Sequence, residues 1–190
     1  MISALLLAAV LSQAPPAPDY AALYAQGVPF SEFLDGARAR RDEWTARYRD
    51  ATVSPDLSEK ARALPSRRRL LVVTDDRCSD SRQTVPYLAK LVLAAPDRLE
   101  MRIVSSTIGQ AVKDTHLTPD GRGATPTVVV LDQDGHLIGA WIERPAELQA
   151  WSIEQRKILP PAAYREGMAK WYAGDKGRSA LAEIMTIVTR

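Results

Sequence analysis

Cys78 is the only cysteine in this chain of 190 residues, and it stands where a thiol can react. It follows the apolar run Leu70-Leu71-Val72-Val73 and the polar turn Thr74-Asp75-Asp76-Arg77. A segment with helical periodicity begins at Ser81. A helix N-terminus favours an anion, and the thiolate is the form of cysteine that attacks a disulfide. Arg77 and Arg82 bring positive charge to this turn, and Asp75, Asp76 and Asp80 bring negative charge. The Ser81 hydroxyl is placed to donate a hydrogen bond to the sulfur. Asp80 reads equally well as a first-turn residue that complements the helix dipole. The chemistry these residues offer is attack on a substrate disulfide, a glutathionyl mixed disulfide or a sulfenic acid. With one cysteine the chain closes no disulfide of its own, so an external thiol must release the product: glutathione, a second protein, or another cysteine of the substrate, the last route being isomerisation.

The elements that position Cys78 follow from the apolar pattern. Residues 19–26 read as a short helix, and Ser31 reads as the N-cap of a longer one reaching about Asp50. Leu57 to Leu64 is a further helical stretch closed by Pro65. Leu70–Thr74 is a continuous apolar run, the pattern of a strand buried on both faces. Ser81 to Ala95 reads as a helix with Pro86 inside it, and Arg98–Ser105 as an alternating strand. Ile108 to His116 is a modest helix. Thr125–Leu131 and His136–Ile142 read as strands joined through the turn Asp132-Gln133-Asp134-Gly135. From Ala146 the chain reads as helical, with breaks at Pro160-Pro161 and around Gly174 to Gly177. The order is helices, then β-α-β-α-β-β, then helices.

In these features the chain resembles the thioredoxin-like superfamily. Cys78 lies at the strand-to-helix junction, and Pro86 follows it by eight residues. Thr125-Pro126 opens the third strand, where the family places a cis-proline beside its active site, and a hairpin with a Gly turn comes next. Cys78-Ser79-Asp80-Ser81, Thr125-Pro126-Thr127 and Trp141-Ile142-Glu143-Arg144-Pro145 are similar to the Trp-Cys-x-Asp-x, Thr-Pro-Thr and Trp-x-x-Arg-Pro segments of one bacterial branch. The resemblance covers about residues 57–145. It implies an α/β fold with a central mixed sheet of four to five strands, flanked by helices and extended by helices at both ends. It implies Cys78 and Ser81 as the catalytic pair, with Arg77, Asp80, Thr125 and Pro126 meeting the substrate. Ser81 stands where the family's second cysteine would be, Arg77 where the usual Trp would be, and Val72 where thioredoxins carry a buried acid. Three functions are consistent with this: a monothiol acting in thiol–disulfide exchange, a redox-inactive module binding extended segments in the cis-Pro groove, or a Cys78-linked dimer or redox sensor.

The rest of the sequence narrows partners. The net charge of +2 gives no global case for nucleic acid, and the run Arg67-Arg68-Arg69 reads as a solvated lead-in to a strand. Two histidines, His116 and His136, and one cysteine do not make a zinc set. Asp132, Asp134 and Gly135 read as a hairpin turn in preference to a calcium loop. Gly121-Arg122-Gly123 is a loop without a phosphate-binding fingerprint. No metal or cofactor is expected; the expected partner is a protein or small thiol or disulfide. Trp141 and Arg144 are candidates to line the surface around the cysteine, and Trp141 reads in preference as a packing residue. Residues 1–14 read as a secretory signal and residues 15–18 as a proline-rich linker, leaving one domain over residues 19–190. That places the protein in the periplasm or outside the cell, with the cytoplasm as the alternative. The apolar stretch is too short for stable membrane insertion.

Overall fold

The computed structural model describes residues 17–190, so the expected signal segment lies outside the described residues. Four strands form one sheet: β1 (Arg68–Val73), β2 (Leu99–Val104), β3 (Thr127–Leu131) and β4 (Leu137–Ile142). The spatial order is β2-β1-β3-β4. β1 runs parallel to β2 and antiparallel to β3, and β3 runs antiparallel to β4. This is the mixed, helix-flanked sheet that the resemblance implies.

Strand periodicity divides the core into two faces. On one face Leu70, Val72, Val128 and Val130 pack against α2 (Phe30–Gly36), α3 (Arg41–Asp50), α4 (Pro55–Arg62), α5 (Ser79–Ala94) and the last helix (Arg178–Val188). On the other face Leu71, Val73, Val129 and Leu131 pack against Tyr20 and Tyr24 of α1 (Tyr20–Gln26) and Val112 of α6 (Gln110–Thr115). The central strands are therefore buried on both sides, which is why they read as unbroken apolar runs. A third, smaller cluster joins α7 (Ala146–Ile158) to α8 (Pro161–Asp175) through Leu148, Met168 and Tyr172. Gly177, at φ 76°, begins the last helix, α9, with its backbone against the Tyr87 ring. A β-carbon there would need both an unfavourable backbone conformation and space that Tyr87 occupies.

Two expectations are corrected. The single helix expected from Ser31 to Asp50 is two, α2 and α3, with Ser31 inside the first and Pro29 at its N-cap. The break at residues 37–40 has a distant cause: the Arg38 and Ala39 N–H groups both donate to Asp76 Oδ2, each at 2.8 Å. Arg68 is not a solvated lead-in either. It is buried, its Nε donates to the Val188 carbonyl at 3.0 Å, and it closes the end of α9. Among the described residues no helix is long and apolar enough to cross a membrane.

Candidate active site

β1 ends at Val73, and four loop residues, Thr74 to Arg77, carry the chain to Cys78, the N-cap of α5. The sulfur accepts the Ser81 N–H at 3.4 Å, doing with Sγ what Ser or Asp does at other helix starts. The thiol donates to the Thr125 carbonyl at 3.1 Å. Thr125-Pro126 is cis, and the Thr125 carbonyl faces the cysteine. Cys78 is half-buried and opens on a depression lined by Asp75, Arg77, Ser79, Ser106 and Thr125. Val72 lies fully buried in the apolar core.

The Ser81 hydroxyl is fully buried and has no hydrogen-bond partner among the described residues; the contact to sulfur comes from the Ser81 backbone. Arg77 is exposed at the rim. The three aspartates, which by sequence crowd the thiol, are each engaged elsewhere. Asp75 Oδ1 accepts the Ser106 N–H at 3.1 Å. Asp76 holds the α2–α3 break, and the Ala39 N–H, with help from the Arg38 N–H, keeps its carboxyl below the ordinary range against the effect of burial. The Trp44 indole donates to the Asp76 carbonyl at 2.8 Å, which fixes the loop from below.

Asp80 has the most demanding environment. It is 7 % exposed and receives the Arg144 fork, Nε to Oδ1 at 3.0 Å and Nη2 to Oδ2 at 2.8 Å. The Tyr172 hydroxyl adds a third bond to Oδ1 at 2.7 Å. Asp80 therefore faces a protein ion-pair cluster and is not at the open rim with Thr125 and Arg77. Arg144 Nη1 also meets Glu143 Oε2 at 2.8 Å, and Arg122 Nη2 meets the same oxygen at 3.0 Å. Burial disfavours the Arg144 charge, but Asp80 and Glu143 more than offset it, so its pKa lies above the ordinary value. Burial and the Asp80 charge both push the Tyr172 phenol up, so it remains a donor.

The sequence places Arg144 in the Trp-x-x-Arg-Pro segment, as a residue that could line the surface around the cysteine, and marks neither it nor Tyr172 as a partner of Asp80. The pairing with Asp80 spans 64 residues for Arg144 and 92 for Tyr172. The signal available was local: an Arg before Pro145 at the corner after β4, in a stretch that packs the C-terminal helices. Trp141 packs as expected, with its indole donating to Glu183 Oε2 at 2.7 Å. Asp132, Asp134 and His136 lie together in the hairpin turn. Asp132 Oδ1 accepts the N–H groups of Asp134 and His136, so that carboxylate builds the turn. His116 is half-buried against the Tyr20 hydroxyl at 2.8 Å.

A four-stranded mixed sheet, with a cysteine capping the helix after its central strand and a cis-proline across from the sulfur, defines a thioredoxin-like protein. The chain belongs to the family described as Thioredoxin, which it matches over residues 27–157. It is similar to a Pseudomonas aeruginosa protein of unknown function, PA1234, at 24 % identity and a TM-score of 0.69, covering 90 % of this chain and 97 % of that one. It is also similar to an HIV epitope scaffold, at 24 % identity and a TM-score of 0.68, covering 90 % and 98 %. These likenesses concern the fold. No curated protein matches the chain.

Proposed function

We propose that this protein acts in thiol–disulfide exchange through Cys78 alone. The observation that carries the reading is the sulfur itself: half-buried, at a helix N-terminus, held by the Ser81 N–H and facing the Thr125 carbonyl beside an open depression. In the first step the Cys78 thiolate attacks one sulfur of a disulfide. A new S–S bond forms to Cys78, the old one breaks, and the other half leaves as a thiolate. In the second step an external thiolate, such as that of glutathione, attacks the mixed disulfide and frees Cys78. Attack on a sulfenic acid gives the same intermediate with loss of water. The substrate is a protein or small disulfide reaching the rim at Arg77 and Thr125, with Asp80 acting from behind. In this reading the motifs are those of the bacterial Trp-Cys-x-Asp-x branch with a Cys-x-x-Ser variant, and the protein works in the periplasm after export.

Buried Val72 favours a second reading. With Val72 in place of the family's buried acid, the cis-Pro groove serves as a binding surface for an extended segment. Treatment with glutathione disulfide, followed by intact-mass measurement, separates the two. Exchange predicts one glutathione adduct, absent in Cys78→Ser and removed by added glutathione. A wild-type protein that stays unmodified under conditions that modify free cysteine sinks exchange and leaves binding.

A further inference from the structure

We propose that Arg144 is a positioning residue of the Cys78 site: it clamps the first turn of α5 through Asp80 and cancels that carboxylate's charge beside the sulfur. The inference deepens the exchange reading and rests on it for its purpose, though its test does not. The geometry has three parts. Arg144 grips Asp80 with two nearly parallel bonds, the arrangement that fixes orientation as well as distance. Asp80 stands two residues after Cys78 in the same helical turn, and Ser81, the next residue, supplies the N–H that the sulfur accepts. The residue before Arg144 reaches the opposite wall: the Glu143 N–H donates to the Pro126 carbonyl at 2.7 Å, and Glu143 holds a left-handed backbone, φ 63°, to do so. One corner of chain, Glu143-Arg144, thus ties the helix that carries the thiol to the proline loop that faces it.

The electrostatic part follows from the same contacts. The other charges near the sulfur are committed: Asp75 to the Ser106 N–H, Asp76 to the Arg38 and Ala39 N–H groups, and Arg82 to Glu43 at 3.1 Å. Arg77 is exposed to solvent. Asp80 is the carboxylate that shares the buried side of the turn, with the Tyr172 hydroxyl bonded to it. Without its guanidinium partner, the Asp80 charge would oppose a thiolate at Cys78.

The test is the rate of Cys78 alkylation by iodoacetamide at pH 7, which requires no disulfide substrate. A clamp that also balances charge gives changes of opposite sign. Arg144→Met slows alkylation about tenfold by leaving Asp80 uncompensated, and Asp80→Asn speeds it severalfold by leaving Arg144 in excess. A purely structural contact predicts slowing, or no change, in both. If Arg144→Met does not fold, as judged by near-UV circular dichroism, Asp80→Asn decides alone: acceleration supports the assignment, and an unchanged or slower rate overturns it. Failure of the glutathione adduct in the wild-type protein would remove the exchange reading while leaving this result intact.

Discussion

On one side of Cys78, Asp75, Asp76 and Arg77 form a loop open to solvent; on the other, Asp80 is sealed among Arg144, Glu143 and Tyr172. The loop side is built from side chain-to-backbone bonds. Asp75 and Asp76 use their carboxylates to hold neighbouring loops, and Trp44, fully buried, supports them from below. The buried side is built from charge paired with charge across 64 residues of sequence. Both sides carry acids close to the thiol, so sequence proximity alone suggests that they act alike. They do not. What an acid does to a nearby sulfur depends on which group it is bonded to, and on how much water is left to screen it.

The largest test of this contrast is to remove the guanidinium. Arg144→Met leaves a buried carboxylate unpaired, for which a loss of about 3 to 5 kcal/mol of stability is expected in urea unfolding. A loss below about 1 kcal/mol would mean that Asp80 is solvated and the buried side is not distinct. A smaller step is Tyr172→Phe, which takes one of the three bonds from Asp80 and should cost about 1 to 3 kcal/mol. The double variant with Arg144→Met should cost less than the sum of the two, since both act on one carboxylate.

On the loop side, acid replaces mutation as the probe. Asp76 titrates below its ordinary value of 3.8 when folded. Its folded form therefore binds the proton less readily than the unfolded chain does. The stability it contributes is fully present above the ordinary value and is lost as pH falls through the folded one. Asp76→Asn should flatten the fall of stability below about pH 4, measured by urea midpoints against pH. A parallel fall in variant and wild type would break the assignment of the α2–α3 corner to Asp76. The smallest effect is expected at the rim. Arg77→Ala should leave the melting temperature within error, since its side chain is exposed, and should slow reaction with anionic glutathione disulfide more than with a neutral disulfide. Equal slowing with both would remove Arg77 from substrate contact.

How much of this was legible in the sequence follows the range of each interaction. Leu70 to Val73 and Val128 to Leu131 announce doubly buried strands because burial on both faces leaves no polar alternation. Cys78, Pro86 and Thr125-Pro126 point to one site through the resemblance to thioredoxin-like proteins, since the 47-residue separation of Cys78 and Thr125 carries no local signal of their meeting. The break between α2 and α3 leaves no comparable mark, because its cause is a carboxylate 37 to 38 residues away. Arg68 reads as one of three surface arginines, and only the folded chain brings Val188 to its guanidinium. Asp80 was read as a substrate contact or a helix-dipole residue. Its actual partners come from elsewhere: Arg144 from the corner between β4 and α7, and Tyr172 from α8, whose helical pattern was evident but whose docking was not.

The central claim is that Cys78 is a working nucleophile that needs an outside thiol to complete its cycle. The direct measurement is intact mass after glutathione disulfide, and again after reduced glutathione is added. The account predicts a single adduct on Cys78, formed faster than on free cysteine at pH 7 and then removed. A Cys78 that reacts no faster than free cysteine, or an adduct that reduced glutathione does not release, would contradict it.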